Sequence, residues 1–89
     1  MSYLPLIYEF FGTFLFVLTI LSSGNALVIG LTLALVIWLA SAVSGGHMNP
    51  AVSLAFFMKG ALTLQELAGY VIVQLLGGVA ALSAFQYIV

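Results

Sequence analysis

Ser44-Gly45-Gly46-His47-Met48-Asn49-Pro50-Ala51-Val52-Ser53-Leu54-Ala55-Phe56-Phe57-Met58-Lys59-Gly60 is the stretch on which the fold turns. Asn49-Pro50 is a helix start, because Asn is a strong N-cap and Pro is favoured at the first helical position. Lys59-Gly60 is a helix stop, with a cation at the last turn and a glycine just beyond it. The helix so bounded, 50–59, has about ten residues and is roughly 15 Å long at the usual rise. That is about half the hydrocarbon thickness of a bilayer. Such an apolar helix is too short to span and poorly suited to lying in water. The spacing predicts a re-entrant element that begins deep in a membrane and returns to the surface at Lys59.

Composition supplies the setting for that element. Of 89 residues, 65% are hydrophobic and 3% charged, with a mean hydropathy of +1.37. An ordinary soluble domain is about 45–50% apolar and about 25% charged. Disordered chains combine low hydrophobicity with high net charge, and this chain has neither. One lysine and no arginine exclude an electrostatic nucleic-acid interface. The absence of cysteine removes disulfide scaffolds, thiol catalysis and cysteine-based metal sites. What remains is a chain whose solvent is lipid.

A spanning helix needs about 20 apolar residues, and three segments qualify. The first is expected over 4–21, ending at the turn formers Ser22-Ser23-Gly24-Asn25. The second is expected over 26–43. The third is expected over 64–89, opened by Thr63-Leu64-Gln65-Glu66, a capping-box pattern. The fold class that follows is an all-α membrane protein, with three transmembrane helices and one re-entrant half-helix forming a single unit over 1–89. The N-terminus reads without a secretory signal, since it lacks a basic region and a cleavage site. The end, Gln86-Tyr87-Ile88-Val89, carries no polar tail, which fits the first part of a longer channel. With a single lysine to set orientation, insertion in both orientations is expected to be permitted.

The non-helical stretch 44–48 must reach membrane depth without leaving its amides bare. Irregular backbone is tolerated there only inside protein or against a water-filled cavity. Carbonyls from Ser44, Gly45, Gly46 and His47 would form a line of acceptors, and Asn49 at its foot offers two N–H donors beside the positive end of a half-helix. Acceptors leading to donors suit water or small polyols and suit cations badly. Glu9 lies within the first span, where a carboxylate is costly. It is either close enough to the interface to stay hydrated or buried, in which case it accepts hydrogen bonds from the 44–48 amides or from His47. His47 is either a packing residue or pore-lining, and Gln74 either braces the loop or bonds across helices for stability alone. Gly30, Gly69 and Gly77 read as close-packing positions. Tyr3, Tyr8, Tyr70 and Tyr87 read as belt or lipid-facing residues, and Trp38, in mid-span, as packing. Catalysis is not expected. Ser44 and His47 share one extended loop with no third group to orient the histidine, and the ionisable residues are too few for a metal site.

The segment SGGHMNPAVS (44–53) resembles the first signature loop of the aquaporin and glycerol-facilitator family, the major intrinsic proteins. EFFGT (9–13) resembles the start of that family's first helix, and QLLGGVAA (74–81) the middle of its third, so the resemblance covers essentially the whole chain. It implies one of two inverted repeats, each with three helices and a half-helix, that meet where two Asn-Pro-Ala starts abut. It further implies a pore lined by Ser44, Gly45, Gly46, His47, Asn49, Pro50 and Ala51, with Glu9 and Gln74 bracing the loop. The implied activity is passive flux of water or small uncharged solutes such as glycerol across a lipid bilayer. The partner is a second repeat, from another copy or another chain; the alternative is a non-conducting fragment or an accessory subunit of full-length channels. No cofactor, metal, catalytic residue or nucleic acid is implied. Two departures stand out. The family's filter arginine belongs to the second repeat and has no counterpart here, and the filter position on the second helix, commonly aromatic, is Ile29.

Overall fold

The structure, a computed structural model, describes residues 2–88. Four helices follow in order: α1 (Leu4–Ser23), α2 (Ala26–Ala40), α3 (Pro50–Met58) and α4 (Leu64–Ile88). All regular secondary structure among the described residues is helical. Local chemistry accounts for most of the boundaries. A proline opens α1, and a left-handed Gly24 closes it. Asn25 then caps α2, its Oδ1 accepting from Leu27 N at 2.9 Å and Val28 N at 3.1 Å. Asn49 Oδ1 caps α3 by accepting from Ala51 N at 2.8 Å. At α4 the capping box closes reciprocally: Thr63 N donates to Glu66 Oε1 at 2.8 Å, and Glu66 N to Thr63 Oγ1 at 3.1 Å.

α1, with 20 residues, and α4, with 25, are each long and apolar enough to cross a membrane. α2 has 15 residues and ends at Ala40, three short of the expected Val43. Residues 41–44 continue it as a turn, in which Val43 N and Ser44 N both donate to Ala40 O, at 3.0 and 2.8 Å. α3 stops at Met58, one residue before the expected Lys59, which serves as its C-cap. The expected end of the last helix at Val89 lies outside the described residues. The long axis of the molecule is 40 Å, against 23 and 19 Å across it, which is close to the full thickness of a bilayer with its headgroups.

α1 packs most extensively on α4 and also contacts α2, while α3 lies against α4. Gly77 makes the α1–α4 crossing possible: a β-carbon there would stand 2.7 Å from Phe10 O and 3.3 Å from Phe14 N. Gly69 is tight against Leu6, at 3.1 Å, whereas Gly30 has nothing within 4 Å and is not a packing position in this chain. Trp38 also departs from expectation, since it is 74% exposed rather than packed. The inside of the bundle is unusually polar. Glu9, Thr13, Ser44, His47, Ser53 and Gln74 are buried, while Leu, Ile, Val and Phe cover the outside. That inversion is what lipid as a solvent permits: apolar surface needs no hiding, and polar groups must find one another inside.

Candidate functional site

The buried polar residues form one network, centred on Glu9. Glu9 is fully buried on α1 and accepts four hydrogen bonds. Its Oε2 takes Ser44 Oγ at 2.6 Å and His47 N at 3.0 Å. Its Oε1 takes Met48 N at 2.7 Å and Gln74 Nε2 at 3.0 Å. A carboxylate, with two oxygens and no donor, suits a site where every neighbour donates. The loop between α2 and α3 is non-helical and cannot satisfy its own amides, so a side chain from α1 does it.

The loop is held from other sides as well. Ser44 Oγ accepts from Gly46 N at 3.2 Å, and Ser44 O accepts from Tyr70 Oη–H at 2.7 Å. The Ser44 carbonyl, placed in the acceptor line by the sequence reading, is thus engaged by α4, and its side chain serves the bracing of the loop. Gly46 has a φ of +65°, and a β-carbon would stand 2.9 Å from Ile37 O. Both conditions require glycine. Met48 is left-handed too, with a φ of 55°, a conformation that costs a non-glycine residue about 1–3 kcal/mol. It is maintained by the Glu9 bond and by burial of the thioether against Val36 and Ala40.

Asn49 sits at the foot of the loop and is exposed. Its Oδ1 is committed to the cap of α3, so Nδ2 turns away from the helix with no partner among the described residues. Pro50 is half-buried and Ala51 exposed beside it. Next to them opens a cavity of about 480 Å³, lined by Thr13, Phe16, Asn49, Pro50, Gln74 and Val79 among others. Gly45 is exposed on the same loop. Ile29 stands apart, half-buried near the start of α2, and does not line this cavity. The structure therefore brings together Glu9, Ser44, Gly46, His47 and Gln74 as a brace, leaves Asn49 presented at an open face, and keeps Ile29 away from both.

Three members of the site were not singled out from sequence. Ser53, fully buried, bonds His47 Nδ1 at 2.8 Å and Gln74 Nε2 at 2.9 Å. Tyr70, taken as lipid-facing, is buried and bonded to the loop. Thr13 is buried with Oγ1 unpartnered among the described residues, unlike Thr19 and Thr32, which donate to the carbonyl one turn back at 2.8 Å. The available signal was spacing. Thr13 follows Glu9 by one turn, Ser53 follows Asn49 by one turn, and Tyr70 precedes Gln74 by one turn.

A loop pinned inside a membrane bundle, ending in an asparagine-capped half-length helix, is matched by a known family. The model of the major intrinsic protein family matches residues 20–89. The chain belongs to the major intrinsic protein family. Members of that family are integral, multi-pass membrane channels and not enzymes. Among relatives, Aquaporin Z of Brucella melitensis is 38% identical over 96 aligned positions, covering 91% of this chain and 42% of its own length. The glycerol uptake facilitator protein-like 6 of Lactiplantibacillus plantarum is 33% identical over 87, covering 88% of this chain and 40% of its own length. The lens fiber major intrinsic protein of Gallus gallus is 46% identical over 57, covering 64% of this chain and 22% of its own length. This major intrinsic protein chain therefore spans less than half the length of each of these relatives. No solved structure matches it.

Proposed function

We propose that the chain is one repeat of a channel for passive flux of water or small uncharged solutes such as glycerol, completed by a second repeat from another copy or another chain. In this reading α1, α2 with its following turn, and α4 cross the membrane, and the segment 44–58 re-enters it. The observation that carries the reading is Asn49. Its cap bond to Ala51 N turns two amide hydrogens away from α3, at the positive end of the helix. The fully hydrogen-bonded Glu9 holds the loop that positions it. A passing hydroxyl or water oxygen meets donors there, and a cation meets the wrong sign of dipole. The open cavity beside Asn49 and Pro50, and the names of relatives that include an aquaporin and a glycerol uptake facilitator, support the same reading.

The competing reading is a non-conducting piece or accessory subunit, favoured by the share of its relatives that the chain spans. Stopped-flow swelling of vesicles containing the inserted chain, in sucrose and in glycerol, separates the two. Accelerated volume change over empty vesicles is expected for a pore completed by a second copy. Rates equal to those of empty vesicles would leave a separate second chain as the requirement or sink conduction altogether. Co-reconstitution with the missing half of a relative distinguishes those outcomes.

A further inference from the structure

Ser53 lies fully buried one turn into α3, and its hydroxyl has two neighbours: Gln74 Nε2 at 2.9 Å and His47 Nδ1 at 2.8 Å. A serine hydroxyl carries one proton and two lone pairs. The direction of the Gln74 bond is set from its far side, because Gln74 Nε2 also lies 3.0 Å from Glu9 Oε1. Turning that amide over would set its oxygen against a carboxylate oxygen. Gln74 therefore donates to Ser53, and the serine proton is left for another acceptor. Among the described residues, the acceptor in reach is His47 Nδ1. A ring protonated on Nδ1 would make Ser53 accept twice and strand its own proton in a sealed site, which buried hydroxyls avoid.

The ring has no freedom to evade this choice. It stacks on Phe56, with centroids 4.6 Å apart and planes 17° from parallel, and Tyr70 leans on it at 5.1 Å. Turning the ring over would set a carbon against Ser53 Oγ and forfeit the bond. The other nitrogen, Nε2, has no hydrogen-bond partner among the described residues, and it would stand 3.2 Å from a β-carbon at the exposed Gly45.

We infer that Ser53 is a positioning residue which, relaying from Glu9 through Gln74, holds His47 as the tautomer protonated on Nε2 and so gives the loop an N–H donor on the Gly45 side. The ligand such a donor takes is an acceptor oxygen of water or an alcohol. That identity rests on the channel reading above, whereas the tautomer does not. The loop would then offer a passing solute a donor at each end, His47 Nε2–H and Asn49 Nδ2–H, with backbone carbonyls between them.

His47 is the chain's one histidine, so its imidazole nitrogens are assignable by magnetic resonance on the whole chain, labelled at histidine and inserted in lipid bilayers. The expected spectrum shows a directly bonded proton on Nε2 and none on Nδ1. Ser53→Thr keeps the hydroxyl and should keep that pattern, while Ser53→Ala should lose the single tautomer and show a mixture. A proton on Nδ1 in the unsubstituted chain, or an unchanged single tautomer in Ser53→Ala, overturns the proposal. Should Ser53→Ala fail to fold, the unsubstituted chain and Ser53→Thr still decide. Expected tautomers without vesicle flux would refute conduction and leave the relay standing; flux with the reversed tautomer would do the opposite.

Discussion

Substituting Glu9 separates a brace from a packing residue, because its four donors differ in what they can fall back on. Ser44 Oγ already lies 3.4 Å from Ala40 O, and Gln74 Nε2 also reaches Ser53. The backbone amides of His47 and Met48 have no second acceptor among the hydrogen bonds of the described residues. Glu9→Ala therefore strands two buried amides, at about 1–3 kcal/mol each, or roughly 2–6 kcal/mol together. Glu9→Gln keeps the shape and converts one oxygen into a donor. Each carboxylate oxygen serves one loop amide, Oε2 that of His47 and Oε1 that of Met48. Glutamine therefore opposes one of the two whichever way it turns, at about 1–3 kcal/mol.

Amide hydrogen exchange in bilayers or detergent reads this residue by residue. Every 1.4 kcal/mol is about tenfold in an opening equilibrium, so a stranded amide should lose one to two orders of magnitude of protection. In Glu9→Ala both the His47 and Met48 amides should exchange faster. In Glu9→Gln one should change and the other hold. Amides in the middle of α4, bonded within their own helix, should not change in either. If both loop amides of Glu9→Ala stay as protected as in the unsubstituted chain, the loop is held by packing alone and the reasoning fails.

Further substitutions probe the other contacts. Gly77→Ala drives a methyl against Phe10 O, a backbone atom, and should lower stability against denaturing detergent by about 1–3 kcal/mol. Gly30→Ala meets nothing within 4 Å and should be neutral or stabilising by up to about 1 kcal/mol through helix propensity. Asn49→Asp keeps the oxygen that caps Ala51 N and loses both amide hydrogens, so helicity should hold while vesicle flux falls. Asn49→Ala loses the cap as well and should cost about 1 kcal/mol in a thermal or detergent melt. Tyr70→Phe leaves the buried Ser44 carbonyl without its 2.7 Å partner. A loss of about 1 kcal/mol is expected, with faster exchange at the Gly46 amide if the turn loosens.

Features governed by local chemistry were legible before any coordinates. Asn49-Pro50 and Thr63 with Glu66 mark helix starts because a cap acts within three residues of itself. Composition is similarly direct, since a chain this apolar has one possible solvent. The end of α2 was not legible. The apolar run continues through Ala42 and Val43, and nothing in it tells the chain to stop. The stop is imposed from elsewhere, by Glu9 drawing Ser44 out of the helix 35 residues away. The bond between Tyr70 and the loop is equally remote, joining residues 26 apart.

The tyrosine nevertheless left a trace, and it shows which periodicity to look for when lipid is the solvent. The buried positions of α4 are Tyr70, Gln74, Gly77 and Ala81, spaced four, three and four residues apart, which is one face of a helix. Between them Ile72, Leu75, Leu76, Val79 and Leu82 are exposed. On α1 the buried positions are Glu9, Gly12 and Thr13, while Ile7, Phe11 and Leu15 face outward. In water the recurring apolar residues would be the core and the polar ones the surface. That rule would put Gln74 outside and Trp38 inside, the reverse of what is found. Close approach of helices in lipid depends on small residues and on polar partners, so smallness and polarity carry the period. Tyr70 belongs to that stripe by its hydroxyl, whereas Tyr87 falls off it and is 95% exposed.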